Sequence, residues 1–158
     1  MKPSKLSVLV ALASTAAVLA SGGARADTVN VTVTAQIIGI CKFTSGQTPV
    51  VTIANTGATI DPSLAGPANG SANVTYQCTN GQAPTFTVPT PATITCTTAG
   101  TCAATTMAPV MSFTSGGNGA GFSGGVKTLV VSGQLTAAQY ANMQVGTYSG
   151  TEVVTVTP

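Results

Sequence analysis

Few side chains in this sequence could do chemistry, and their types narrow what that chemistry could be. Of 158 residues three are acidic (Asp27, Asp61 and Glu152), five are basic and none is histidine. No Ser-His or Cys-His nucleophile pair can be built, because each needs an imidazole to take the proton. A carboxylate pair would have to come from those three acids. Asp27 lies at a chain terminus once a leader is removed, and Asp61 precedes Pro62, where an Asx turn accounts for it. Lys127 with a serine carries no motif. The glycine-rich stretch 115–125 lacks the Gly-Lys-Ser/Thr ending and the following helix of a phosphate loop, and reads as a plain loop. The residues point away from an enzyme, and no cofactor is expected.

Cys41, Cys78, Cys96 and Cys102 are separated by 36, 17 and 5 residues. Zinc sites favour close cysteine pairs and often histidine, so no metal is expected. No Cys-x-x-Cys spacing is present, which makes disulfides structural rather than redox-active. Three pairings are open. The favoured one joins Cys96 to Cys102 across a local hairpin with loop 97–101, leaving Cys41 with Cys78. Such bonds need an oxidising compartment, and the N-terminus supplies the route. Lys2 and Lys5 precede an apolar stretch, 6–20, then Ser21-Gly22-Gly23 and a small-x-small site, Ala24-Arg25-Ala26. This is the pattern of a secretory signal peptide over 1–26, with the mature chain starting at Asp27. The apolar stretch is short for a membrane span, and no later segment could cross a bilayer.

The elements that must hold these residues read as strands. Threonine and valine recur while glutamate, lysine, arginine and leucine are scarce. With 44% hydrophobic residues in clear alternation, the low charge signals a packed β domain rather than disorder. Removing 26 residues from 158 leaves 132, the size of one domain. Lys42 and Lys127 then face three acids, one net negative charge, and the chain has no tryptophan. That excludes the basic, aromatic surface of a nucleic-acid binder, and an anionic membrane surface with it.

The stretch 28–40 alternates most plainly. Val29, Val31, Val33, Ala35 and Ile37 interleave with Thr28, Asn30, Thr32, Thr34 and Gln36, a strand with one apolar face. Such a strand either pairs within its own domain or adds to the open edge of another subunit. A short apolar run, 50–54, precedes a long loop, 55–72. A strand at 73–78 carries Val74, Tyr76 and Cys78 on one side and closes at Asn80-Gly81. Strands at 84–88 and 93–97 are kept apart by Pro89 and Pro91; another at 107–113 has Pro109 at an edge or bulge. Strand 127–132, a helical turn or two within 135–143 and strand 148–157 complete the chain. Short strands between turn signals suggest an immunoglobulin-like β-sandwich.

The alternating start, Gly39-Ile40-Cys41, Val74-Thr75-Tyr76-Gln77-Cys78, and the ending from Gly146-Thr147-Tyr148 through Val153-Val154-Thr155-Val156-Thr157 together resemble the spore coat protein U domain family. That family includes the major subunits of archaic chaperone/usher pili. The resemblance implies an all-β, immunoglobulin-like sandwich that lacks its last strand and is completed by a donor strand from another subunit. A periplasmic chaperone fills the groove first, and at an outer-membrane usher the next subunit's extension replaces it. Carried over, residues 27–38 are the donor extension, with Val29, Val31, Val33 and Ala35 as donor residues. Residues 39–158 are the pilin domain, and Val154 and Val156 line its acceptor groove. Cys41 and Cys78 match the family's disulfide, while Cys96 and Cys102 add to its usual pattern. The implied destination is the cell surface, as a pilus serving adhesion or biofilm formation.

Gly150 stands where the family usually carries Asp, and Ile53-Ala54 where it carries Phe-Gly. Glu152 falls in phase with Val154 and Val156, an inward carboxylate that would be costly. Either a bulge near Gly150-Thr151 turns Val153 inward, or Glu152 sits in water at the groove mouth. The contrasting reading keeps 29–37 inside a complete sandwich and makes the protein a secreted monomeric binding module, for example for carbohydrate. Three tyrosines and no tryptophan offer that module little for sugar stacking.

Overall fold

A computed structural model describes residues 28–88, 92–102 and 105–158. The expected signal peptide over 1–26, Asp27, Pro89 and Pro91 lie outside these. The chain divides after Gln36 into two units. Within the first, residues 28–36 are exposed and form no strand, and the same holds for 37–40 at the start of the second. The alternation of 28–40 is therefore not realised as a strand here. An extended segment becomes one only when a neighbouring backbone takes its N–H and C=O groups, and no β ladder over 28–40 is present among the described residues.

The second unit is built almost wholly of antiparallel strands. Strand β1 (Cys41–Phe43) pairs with β2 (Ala68–Cys78), β2 with β7 (Lys127–Leu135), and β7 with β6 (Val110–Ser115), giving a four-stranded sheet of order β1-β2-β7-β6. Strand β3 (Thr85–Thr87) pairs with β9 (Thr155–Thr157), while β4 (Ile94–Cys96) lies between β5 (Thr106–Met107) and β8 (Tyr148–Ser149). The described residues are thus all-β apart from one helical turn, α1 (Ala137–Tyr140), within the expected 135–143.

Alternation places the core. Val74, Tyr76 and Cys78 of β2 and Leu129 and Val131 of β7 are buried together. Phe86 of β3 reaches this cluster and sets its ring edge-on to Tyr76 at 5.0 Å. A second cluster joins Ala68, Met107, Leu135 and Tyr140 at the other end. Residues 68–72, read above as loop, are strand, because their ladder with β7 runs on to Leu135. Their small side chains hide the signal but suit the packing. Gly70 faces Gly133 across that ladder, and a Cβ on Gly70 would overlap the Thr52 carbonyl. The glycine pair gives the apolar run 50–54 room to cross the sheet, with Ala54 bridging to Asn69.

Two expected strands are each divided. The run 107–113 breaks at buried Pro109: Thr106–Met107 pairs with β4, and Val110–Ser115 joins β7 in another sheet. The proline, lacking an N–H, marks where the chain changes sheet. Likewise 148–157 becomes β8 and β9, interrupted opposite the gap between β3 and β4. Eight residue steps from Thr87 to Thr95 face six from Ser149 to Thr155, so the extra residues lie on the proline-bearing side. The turn at Asn80-Gly81, with Gly81 at φ 78°, carries the chain from β2 to β3 in a different sheet rather than closing a hairpin.

Candidate functional site

The C-terminal segment and the aromatic side chains beneath it form the most distinctive site. In β9 Val156 lies opposite Phe86 of β3, and the preceding Val154 packs against the buried Val74–Leu129 cluster. Val154 and Val156 are half-buried, whereas Val153, Thr155 and Thr157 are exposed. Alternation from Glu152 to Thr157 is therefore unbroken. Val153 is exposed, so it is not turned inward near Gly150.

Glu152 keeps its phase with the valines and stays open to water. Half-buried and in phase with the valines, it accepts a 2.8 Å hydrogen bond from the Thr93 N–H through Oε1. Thr93 lies in the interrupted stretch between β3 and β4. The carboxylate thus has a backbone donor in addition to water.

Around Val154 the core is only partly covered. Phe86 stacks at 6.2 Å from Phe43 and 6.4 Å from Phe113, and all three rings remain half-buried, as does Met111 of β6. Tyr76 is fully buried and anchors the same end, its hydroxyl donating to the Gly117 carbonyl at 2.6 Å and lying 2.8 Å from Ser115 Oγ. β9 is paired by β3 in a two-stranded sheet. Sequence reasoning had not gathered these phenylalanines, although Thr85-Phe86-Thr87 and Ser112-Phe113-Thr114 each repeat the alternation that would have found them.

Cys41 pairs with Cys78, and Cys96 with Cys102. The first bond ties opposed residues of β1 and β2. The second closes the loop 97–101, which grips the segment before β8: Thr97 N–H donates to the Thr147 carbonyl, and Thr147 N–H to Thr98 Oγ1. Gly146 lies directly on that disulfide, where a Cβ would overlap Cys102 Sγ. Val29, Val31 and Val33 are at least three-quarters exposed, and Ala35 is exposed.

Asp61 takes the expected Asx turn. Its Oδ1 accepts from the Ser63 hydroxyl and N–H, which hold its carboxyl below the usual range. Lys42 lies 4.8 Å over the Phe122 ring. The Tyr140 hydroxyl donates to the Gly66 carbonyl and accepts from Asn55 Nδ2, pinning the loop before β2 onto α1. Among the described residues no group of three or more His, Cys, Asp or Glu could hold a metal ion, and no helix is long and apolar enough to cross a membrane. An open depression lined by Ala54, Asn55, Leu64, Gly66 and Asn69 carries no charged group. No family model, characterised protein or solved structure matches the chain.

Proposed function

We propose that this chain is a structural subunit of a secreted surface fibre of the chaperone–usher kind, serving adhesion or biofilm formation. In this reading it is non-catalytic, is held in the periplasm by a chaperone, and passes through an outer-membrane usher. Each copy donates residues 27–38 to a neighbouring subunit. The observation that carries the reading is the half-covered core beside β9, where Phe43, Phe86, Phe113 and Val154 pack against the buried Val74–Leu129 cluster yet stay half-buried.

The strand order supports it. In this reading the sheet order β1-β2-β7-β6 stands for strands A-B-E-D of an immunoglobulin-like sandwich, and β3 with β9 for C and F. Among the described residues none takes the position of strand G beside F. In this reading a strand supplied from outside pairs with β9 beside the nearby β1 and covers the half-buried rings. The alternating segment offers Val29, Val31, Val33 and Ala35 for that role. Burying three valines contributes roughly 1.5–3 kcal/mol each before any main-chain hydrogen bond is counted.

Electrophoresis of the surface fraction with and without boiling tests the proposal. A ladder of subunit multiples that collapses to one band only on heating is expected, since the linkage is extensive but non-covalent. A single subunit band in unboiled samples would leave the monomeric module as the better reading.

A further inference from the structure

The four-stranded sheet ends at β6, and this edge differs from the others. β1, β3 and β9 are three residues long and β5 and β8 two, whereas β6 presents six, Val110–Ser115. Exposed edges are commonly blunted by lysine, an inward charge or an internal proline. Val-Met-Ser-Phe-Thr-Ser contains none of these, and Pro109 guards only its entrance. Val110, Ser112 and Thr114 are exposed on the solvent face, and Met111 and Phe113 are half-buried on the other. One side of the backbone is laddered to β7; the groups on the other side meet no strand among the described residues.

We propose that β6 is a self-pairing edge: β6 of one copy and β6 of a second lie antiparallel about a two-fold axis, continuing one sheet into the other. A second copy is the occupant because an antiparallel pair of identical strands is self-complementary, each taking the other's outward N–H and C=O groups. The edge is uncharged, so nothing repels its own image. With the axis perpendicular to the sheet, both solvent faces stay on one side, and Ser112 meets Ser112 or Thr114 of the second copy. Six residues pair weakly alone, so the strength of the contact rests on the fibre reading, in which copies standing in a row multiply it into side-by-side bundling. Because β6 and β9 belong to different sheets, bundling and strand donation do not compete for one edge.

Charge placed on the solvent face tests this without entering the core. Fibres carrying Ser112→Lys with Thr114→Lys, fibres carrying Ser112→Glu with Thr114→Glu, and an equal mixture of the two are compared with wild type by electron microscopy. Boil-sensitive ladders are scored on the same samples. Wild-type fibres should bundle, each charged variant should give single fibres with a normal ladder and a several-fold loss of bundles, and the mixture should bundle again, less so at high salt. Single wild-type fibres, charged variants that bundle like wild type, or a mixture that stays dispersed would each overturn the proposal. So would bundling that needs another protein. An absent ladder sinks the fibre reading instead, and sedimentation of the soluble chain at rising concentration then decides. A reversible dimer lost in both charged variants and regained on mixing supports the edge; a monomer throughout overturns it.

Discussion

Glu152 sits in the phase of Val154 and Val156, and its water-accessible carboxylate accepts from the Thr93 N–H. Glu152→Ala should lower the unfolding free energy by about 1 kcal/mol, and Glu152→Gln by less, because the amide oxygen still accepts. Urea titration of the purified subunit measures both; equal losses would mean the side chain matters for packing alone. Two residues on, Val154→Asp puts a charge among Val74, Leu129 and Cys41 and should cost roughly 2–4 kcal/mol, enough to prevent accumulation. Thr155→Asp, facing water, should stay within about 0.5 kcal/mol of wild type. Similar yields from the two would contradict the alternation. These phases were legible in the sequence because period two is a property of the strand itself. The partner of Glu152 was not, since it depends on where an unrelated segment interrupts its own strand.

Among elements, the two disulfides are expected to differ in weight. The bond from Cys41 to Cys78 closes a loop of sequence separation 37, and that from Cys96 to Cys102 one of 6. Loop-closure entropy then assigns about 4 kcal/mol to the first and about 2 to the second. Replacing Cys41 and Cys78 together by serine should reduce secreted yield more than replacing Cys96 and Cys102, as quantitative blotting would register. The reverse order would show that the grip of loop 97–101 on 146–148 outweighs chain entropy. Strand existence was readable from alternation in 73–78 and 127–132, but not in 28–40, where the plainest alternation forms no strand. Strand length and division were not. Ala68 to Ala72 look like loop by composition and become strand through tertiary pairing, and Tyr148 to Thr157 look continuous but break because the opposite chain is interrupted. Local pattern reports which face a residue prefers; register is set by a partner distant in sequence.

For the whole molecule the question is who uses residues 28–38. If a neighbour does, Val31→Asp should leave a folded, chaperone-bound subunit that cannot extend fibres. If the segment belongs to its own sandwich, the same carboxylate costs several kcal/mol within the domain and the complex itself should be lost. Co-expression with the chaperone, purification of the complex and a fibre-extension assay separate these outcomes. The first disulfide bears on the same assembly in mechanical terms. A pull arriving through the N-terminal segment would enter the domain at Cys41, and the sulfur bridge would pass it straight into Cys78, sparing the short hydrogen-bonded ladder between β1 and β2. Everything from Lys42 to Gln77 is then shielded as slack the force cannot reach. Single-molecule stretching should find each subunit shorter by roughly 125 Å of releasable chain when oxidised than when reduced, so in the proposed fibre the bond would limit how far a loaded row of subunits can give.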